Sequence, residues 1–463
     1  MSGARRAPQR STRVQPSREV AFEVIRATNV DDAYANLLLP AEIDRAGLGP
    51  SDAALATELT YGTLRRRGTY EQIVRIASGR ELDEIDQGVL DALCLGAHQL
   101  LATRVAAHAA VNESVELARR ESGRGAAGFA NAVLRRISRD SLAAWEERIT
   151  DSARSADEAL GFRSSHPVWI LRAFRRALAA TGSADELDDL LAADNASPAV
   201  TMVALPGLSD VAGARTPYSP VGFRAPQGDP DRVVRESDGA RRVQDEGSQL
   251  VALALARLRP VAPGERWLDL CAGPGGKTAL LAAEAYAGGA TIEANEVVPA
   301  RAGLVRRALA AVPMQVEVHE RDGRELARER AGEFDRILVD APCTGLGALR
   351  RRPEARWRKH PDDVAELVTI QTELLGAALD AARPGGVVAY VTCSPHLAET
   401  SGVVREVIER RSDVELLDAP AAIGAVSRSP IEIAAREDGL PFAQLWPHRH
   451  GTDAMFLALL RRT

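Results

Sequence analysis

The sequence predicts a multidomain chain: an all-α N-terminal domain, a small α+β middle subdomain and a C-terminal α/β domain on a doubly wound parallel sheet. Three observations carry this. From residue 16 to about 139, apolar residues recur at helical spacing. From 244 onward, short apolar runs alternate with helical stretches in the order a parallel sheet requires. Between them, Ser/Ala/Asp-rich stretches and a Pro/Gly-rich loop break both periods. The 463 residues suffice for two to four domains with real cores.

Hydrophobic content of 45% and charged content of 26% are those of a soluble globular protein. No apolar run reaches membrane-spanning length, and Met1 to Arg18 is polar and Arg-rich rather than a signal core, so a cytoplasmic location and no membrane partner are expected. Four scattered cysteines make no disulfide framework, and none has the CxxC spacing of a zinc site, so no metal is expected. The net charge of −6 argues mildly against a nucleic-acid partner. The cations are uneven, however. Arg5, Arg6, Arg10, Arg13 and Arg18 form a basic run, with a disordered tail expected over 1–15, and a second cluster follows Cys343. Of the 58 Lys and Arg residues only Lys277 and Lys359 are lysines, a bias that reads as coding composition.

The N-terminal domain is predicted over 16–145. Helical spacing appears in Val20–Ile25 and Ala53–Leu59; Leu90 to Leu101 reads as a buried central helix, and Ala107 to Ala118 and Phe129 to Ile137 continue the pattern. Over 150–243 a helix near Val168–Ala180, another near Ala184–Ala192, a β-like piece at Ala199–Ala204 and the loop from Pro217 to Pro230 suggest a linker and small α+β subdomain.

In the C-terminal domain, 244–463, strands are predicted at Arg266–Leu270, Thr291–Glu296, Val316–Glu320, Arg336–Asp340 and Val387–Thr392, with the clearest helices at Lys277–Ala287 and Val364–Ala382. Ligands of such sheets bind beyond the carboxyl ends of the strands. Cys271, Glu296, Asp322, Asp340 and Cys393 all fall there. The turn Cys271-Ala272-Gly273-Pro274-Gly275-Gly276-Lys277 has neither dinucleotide-fingerprint nor Walker spacing. It can offer backbone N–H groups and a helix N-terminus to a ligand carboxylate. Glu296 is placed for ribose hydroxyls and Asp322 for an adenine amine. Carboxylate, ribose and amine together describe S-adenosylmethionine. Two further thiols, in Asp340-Ala341-Pro342-Cys343 and Thr392-Cys393-Ser394, emerge at strand ends, the arrangement of an enzyme that adds a thiolate to a pyrimidine ring.

These motifs carry a resemblance. From about Gln244 the chain resembles the RNA (cytosine-5) methyltransferase family, on its DAPC and TCS motifs and on Pro447-His448-Arg449-His450-Gly451-Thr452-Asp453. The first domain resembles the NusB family of RNA-binding helical domains, through Asp32-Ala33-Tyr34-Ala35-Asn36, Glu58 to Arg65, Val111 to Ala118 and Phe129 to Arg136. Together they resemble the RsmB (Sun/Fmu) type, which implies S-adenosylmethionine-dependent, Rossmann-like class I chemistry on a cytosine of 16S ribosomal RNA and a monomer. The resemblance implies Cys393 as nucleophile, Cys343 in proton removal or release, and Asp340 as a base contact. Cys271 to Lys277, Glu296, Asp322 and Asp340 match its cofactor positions. Three residues depart from the family pattern: Glu296 stands where Asp is usual, Gly273 where Ala is common, and Pro395 follows the TCS motif.

Alternatives stay open. Pro-Cys at the fourth strand is where DNA cytosine-5 methyltransferases carry their nucleophile, so Cys343 could attack instead. The substrate could be transfer RNA or another ribosomal site, or the chain could be an RNA-binding assembly factor without catalysis. Arg350, Arg351, Arg352, Arg356, Trp357, Arg358 and Lys359 are candidates for holding phosphates and stacking a base; the bland reading is a solvated loop.

Overall fold

The computed structural model describes residues 14–463 apart from 32, 227 and 229. The tail expected over 1–15 therefore lies outside the described residues except for Val14 and Gln15, and so does Asp32 of the first NusB-like motif. The chain forms two compact units, one running to Leu171 and including Arg351–Arg356, the other made of Arg172–Arg350 and Trp357–Thr463.

The first unit is helical: Pro16–Val30, Ala35–Arg45, Pro50–Arg65, Arg67–Ser78, Gln87–Ala102, Ala107–Ile137, Leu142–Ser152 and Ala156–Ser164. Gln87–Ala102 is buried from Gly88 to Gln99, which is why its sequence is apolar all round rather than on one stripe. Phe22, Leu59, Tyr70, Leu93, Leu134 and Trp145 belong to the core around it. The two stretches anticipated at 107–118 and 129–137 are parts of one element broken at Ser122 and Gly123, where Gly123 adopts φ 77°. Arg18, grouped by sequence with the basic run, is 4% exposed and donates to Gln99 at 2.7 Å. The helices of this unit continue beyond 145.

The second unit holds two sheets. A small antiparallel one has β1 (Thr201–Ala204) between β2 (Gly222–Arg224) and β3 (Arg241–Val243). β2 lies inside the stretch read from sequence as a Pro/Gly-rich loop. Val203 and Leu205 share a core with helix Glu246–Ala256 of the larger domain, and Gln249 Nε2 donates to the Met202 carbonyl at 3.2 Å. The middle region is thus packed into the second unit.

The large sheet contains β4 (Arg266–Asp269), β5 (Thr291–Asn295), β6 (Glu317–His319), β7 (Phe334–Asp340), β8 (Ala382–Thr392), β9 (Val414–Leu417), β10 (Ala443–Gln444) and β11 (Phe456–Arg462). Its order is β10-β11-β8-β7-β4-β5-β6, with β9 also on β11. The β6-β5-β4-β7-β8 portion is parallel; β11 runs antiparallel to β8, β9 and β10, so the sheet is mixed at one side. Both faces are covered: Leu338, Val387 and Ala389 enter one core with helix Gly276–Gly288, while Ile337, Val339, Val388 and Tyr390 enter another with helix Pro361–Ala381. Burial of alternate residues on opposite faces explains why these strands read as unbroken apolar runs. Among the described residues no helix is long and apolar enough to cross a membrane.

Candidate active site

Strand order reverses at β4: the chain builds outward through β5 and β6, then returns to the other side of β4 with β7. The loops at the carboxyl ends of β4 and β7 diverge here and leave a crevice. Lys277, just inside the helix after β4, crosses that point and donates to Asp340 Oδ2, the last residue of β7, at 2.7 Å.

On the β4–β5–β6 side the turn 270–276 is shaped by close approach. Gly275 has φ 97°, and a Cβ there would lie 2.6 Å from Ala308 Cβ, so both conformation and space require glycine. A Cβ on Gly273 would lie 2.1 Å from Glu296 Oε2. Glu296 itself, directly after β5 and 4% exposed, accepts from the Gly273 and Val298 amides, both at 3.0 Å, and lies 3.3 Å from Arg301 Nη2. Gly273 and Glu296 are therefore coupled: the carboxylate occupies the room that a Cβ at 273 would take. Asp322 caps the helix Gly323–Glu329, and the Arg324 guanidinium holds its carboxyl down to about 2. It lies three residues beyond β6 rather than at its end. Cys271 is half-buried, and burial pushes its thiol well up, followed by the charges of Asp269, Asp340 and Glu296.

A glycine-only turn at a helix N-terminus, a buried carboxylate beside it and a second carboxylate one strand further out fit S-adenosylmethionine. The turn and helix would take its carboxylate, Glu296 its ribose diol, and Asp322 its adenine amine. Bound there, the cofactor supplies an electrophilic methyl group on sulfonium.

On the β7–β8 side Cys343 and Cys393, both half-buried, bring their sulfurs to 3.5 Å. The Cys343–Cys393 hydrogen bond lowers the Cys393 thiol against the opposing effect of burial, and Lys277 adds to the lowering. The same bond, then burial, then the charges of Cys393, Glu399 and Asp340 push Cys343 well up. Of the two thiols, Cys393 is the one shifted toward ionisation and Cys343 the one shifted away from it. Lys277 stays cationic: burial acts against it, but Asp340's charge and hydrogen bond outweigh that. The hydrogen bond from the partner thiol is the largest cause of the lowering at Cys393, a contribution that sequence left open.

Several residues holding this pair carry no motif. The Gly347 amide donates to the Cys393 carbonyl at 2.8 Å, and the Ala454 amide to the Gly347 carbonyl at 2.8 Å. Glu399, 0% exposed, accepts from the Thr344 amide at 2.7 Å and the Ser394 hydroxyl at 2.6 Å. Arg350 lies between Asp245 Oδ2 at 2.8 Å and Asp453 Oδ1 at 3.2 Å.

That last finding narrows the cation cluster. Arg350 is a buried strut, and Arg356, 0% exposed, donates to the Arg65 and Ser165 carbonyls within the first unit. Neither presents its guanidinium to a phosphate, because buried cations are held by internal partners. Arg351 and Arg352 are exposed, and Trp357, Arg358 and Lys359 are half-buried.

Residues 256–461 match the model for 16S rRNA methyltransferase RsmB/F, and 15–139 match the NusB family. The Mycobacterium tuberculosis protein Rv1407, named as a methyltransferase, is 49% identical over 473 residues, covering 100% of both chains. Ribosomal RNA small subunit methyltransferase B of Pseudomonas putida is 30% identical over 445 residues, covering 92% of this chain and 98% of the other. The chain belongs to the RsmB/F methyltransferase family. That makes it an S-adenosylmethionine-dependent RNA m5C methyltransferase of the RsmB type with a NusB domain in front. The fold is shared with the crystal structure of PH0851, at TM-score 0.78 and 21% identity over 97% of this chain and 99% of that one.

Proposed function

We propose that this RsmB-type enzyme methylates C5 of a cytosine in 16S ribosomal RNA through a covalent adduct between Cys393 and C6 of the base. The observation that carries the mechanism is the 3.5 Å thiol pair at the ends of β7 and β8, with Cys393 the member whose thiol is lowered. The Cys393 sulfur donates its electron pair to C6, and the C5=C6 electrons make C5 nucleophilic enough to take the methyl group. Loss of the C5 proton returns those electrons to the ring and expels Cys393 as thiolate. The C5 proton passes to water, and Cys343, whose protonated thiol contacts that sulfur, assists release by donating a hydrogen bond to the departing thiolate. Asp340, tied to Lys277, contacts the base and stabilises the adduct. The target base must be unpaired or flipped out to reach these groups. The 16S substrate is supported by the family model and by the name of the Pseudomonas relative.

The test is trapping on 5-fluorocytosine-substituted 16S RNA with S-adenosylmethionine, comparing wild type, Cys393→Ala and Cys343→Ala. The C5 fluorine cannot leave as a proton does, so the adduct accumulates. A band lost only in Cys393→Ala is expected. A band lost only in Cys343→Ala would exchange the two roles. No band from wild type on 16S RNA, but one on transfer RNA, would overturn the substrate.

A further inference from the structure

The mechanism leaves a buried carboxylate beside the thiol pair unused. Glu399 closes the short turn Leu397–Glu399 after β8 and is 0% exposed. A carboxylate in such a place is costly unless several donors satisfy it. Oε1 accepts from the Thr344 amide at 2.7 Å and from Gln371 Nε2 at 3.3 Å; Oε2 accepts from the Ser394 hydroxyl at 2.6 Å and from the Thr344 hydroxyl. The four donors are neutral. Thr344 directly follows Cys343, and Ser394 directly follows Cys393. The two hydroxyl oxygens are themselves 3.1 Å apart. Gln371 also donates to the carbonyl of Pro342, the residue before Cys343, at 2.8 Å. Tyr390, from β8, donates to Glu399's own carbonyl at 2.7 Å.

We propose that Glu399 is a positioning residue for the thiol pair: one buried carboxylate grips the residue after each cysteine and so fixes the sulfur–sulfur contact. The proposal rests on Cys343 and Cys393 being the reacting pair. A simple structural cap would bind whatever donors lie near it. Glu399 instead joins the two loops, 50 residues apart in sequence, whose cysteines must meet. Its charge has a direction as well. It disfavours a negative Cys343, while Lys277 favours a negative Cys393. Both effects run in the same direction as the thiol–thiol hydrogen bond, which is the larger cause at each sulfur.

The experiment labels the full-length protein briefly with iodoacetamide at neutral pH and measures alkylation of each cysteine by peptide mass spectrometry. Because the thiolate is the form that reacts, wild type is expected to label Cys393 at least about tenfold faster than Cys343. Glu399→Gln keeps the side-chain volume and removes the charge, and the preference is expected to fall to about threefold or less. Its kcat should drop while its KM for S-adenosylmethionine holds, a split that mere loosening of the fold would not give. A folded Glu399→Gln protein with the wild-type preference overturns the proposal. If Glu399→Gln does not fold, Thr344→Val decides, since it removes one grip and keeps the branched shape: a reduced preference supports the proposal, an unchanged one sinks it. Faster labelling of Cys343 in wild type would overturn the choice of nucleophile instead. The Glu399 proposal would still stand or fall on whether the ratio moves.

Discussion

The two sides of the crevice are built by different means. Around β4, β5 and β6 the site is local: a turn of seven residues, one carboxylate held by neighbouring amides, another capping the next helix. Around β7 and β8 it is assembled from afar. Cys343 and Cys393 are held by Glu399, Gln371, Gly347 and Ala454, and the strut Arg350 draws Asp245 and Asp453 together. The difference teaches that binding a cofactor can be delegated to a motif, whereas aligning two thiols requires agreement among distant parts of the fold. Changes on the thiol side should therefore act on kcat, and changes on the cofactor side on affinity for S-adenosylmethionine.

The sharpest break of that contrast is Gly347→Ala. The added Cβ would lie 2.2 Å from the Ala454 carbonyl oxygen and 2.8 Å from that of Cys393, both backbone atoms with little room to give. Overpacking of this kind costs about 1–3 kcal/mol, and we expect kcat to fall on the order of a hundredfold through displaced sulfur. Isothermal titration should find the affinity for S-adenosylmethionine within about twofold of wild type. A comparable loss of cofactor affinity would show that the two sides are not separable.

Asp269 lies at the end of β4 and tests where the two sides meet. Burial, with a smaller push from Asp340, raises its carboxyl from 3.8 to about 7, against the Thr278 hydroxyl and Lys277. Between those two pH values the folded protein holds a proton that the unfolded chain has released. Its contribution to stability is therefore greatest in acid and is lost as pH rises from about 4 to about 7. Asp269→Asn should remove that slope, flattening the stability curve over the same window by at least about 2 kcal/mol in urea titrations. A variant with the wild-type pH dependence would refute the buried-proton account.

On the cofactor side, Gly273→Ala is expected to weaken S-adenosylmethionine binding about tenfold, because the methyl group displaces the Glu296 carboxylate. The double variant Gly273→Ala/Glu296→Asp should recover most of it, since the shorter acid vacates the space. Non-additive dissociation constants from a double-mutant cycle would confirm that the two positions act as one. Additive losses would mean that the two positions act independently.

The same local-versus-distant division explains what could be read from sequence. The parallel strands were legible because burial on both faces leaves apolar runs at Ile337–Val339 and Val387–Val391, and the cofactor turn because its glycines crowd into one short stretch, Gly273 to Gly276. Glu399 and Gln371 were invisible, since a buried carboxylate or amide in a helical stretch has the same letter as an exposed one. β2 was missed because three residues in a Pro/Gly-rich stretch give no period. Arg350 and Arg356 were grouped with their neighbours because a run of arginines shows charge and not direction.

That grouping gives the smallest and last test. Arg351 is exposed and Lys359 half-buried, where Arg350 is a strut between two acids. If 16S RNA follows this segment, Arg351→Ala and Lys359→Ala should each weaken RNA binding about threefold and lower the slope of log affinity against log salt by about one. Arg350→Ala should behave differently. It leaves Asp245 and Asp453 buried without their shared cation, so its loss should appear in thermal stability and leave the salt slope unchanged. Equal salt slopes in wild type, Arg351→Ala and Lys359→Ala would remove this segment from the RNA-binding surface, and the phosphate contacts would have to come from elsewhere in the chain.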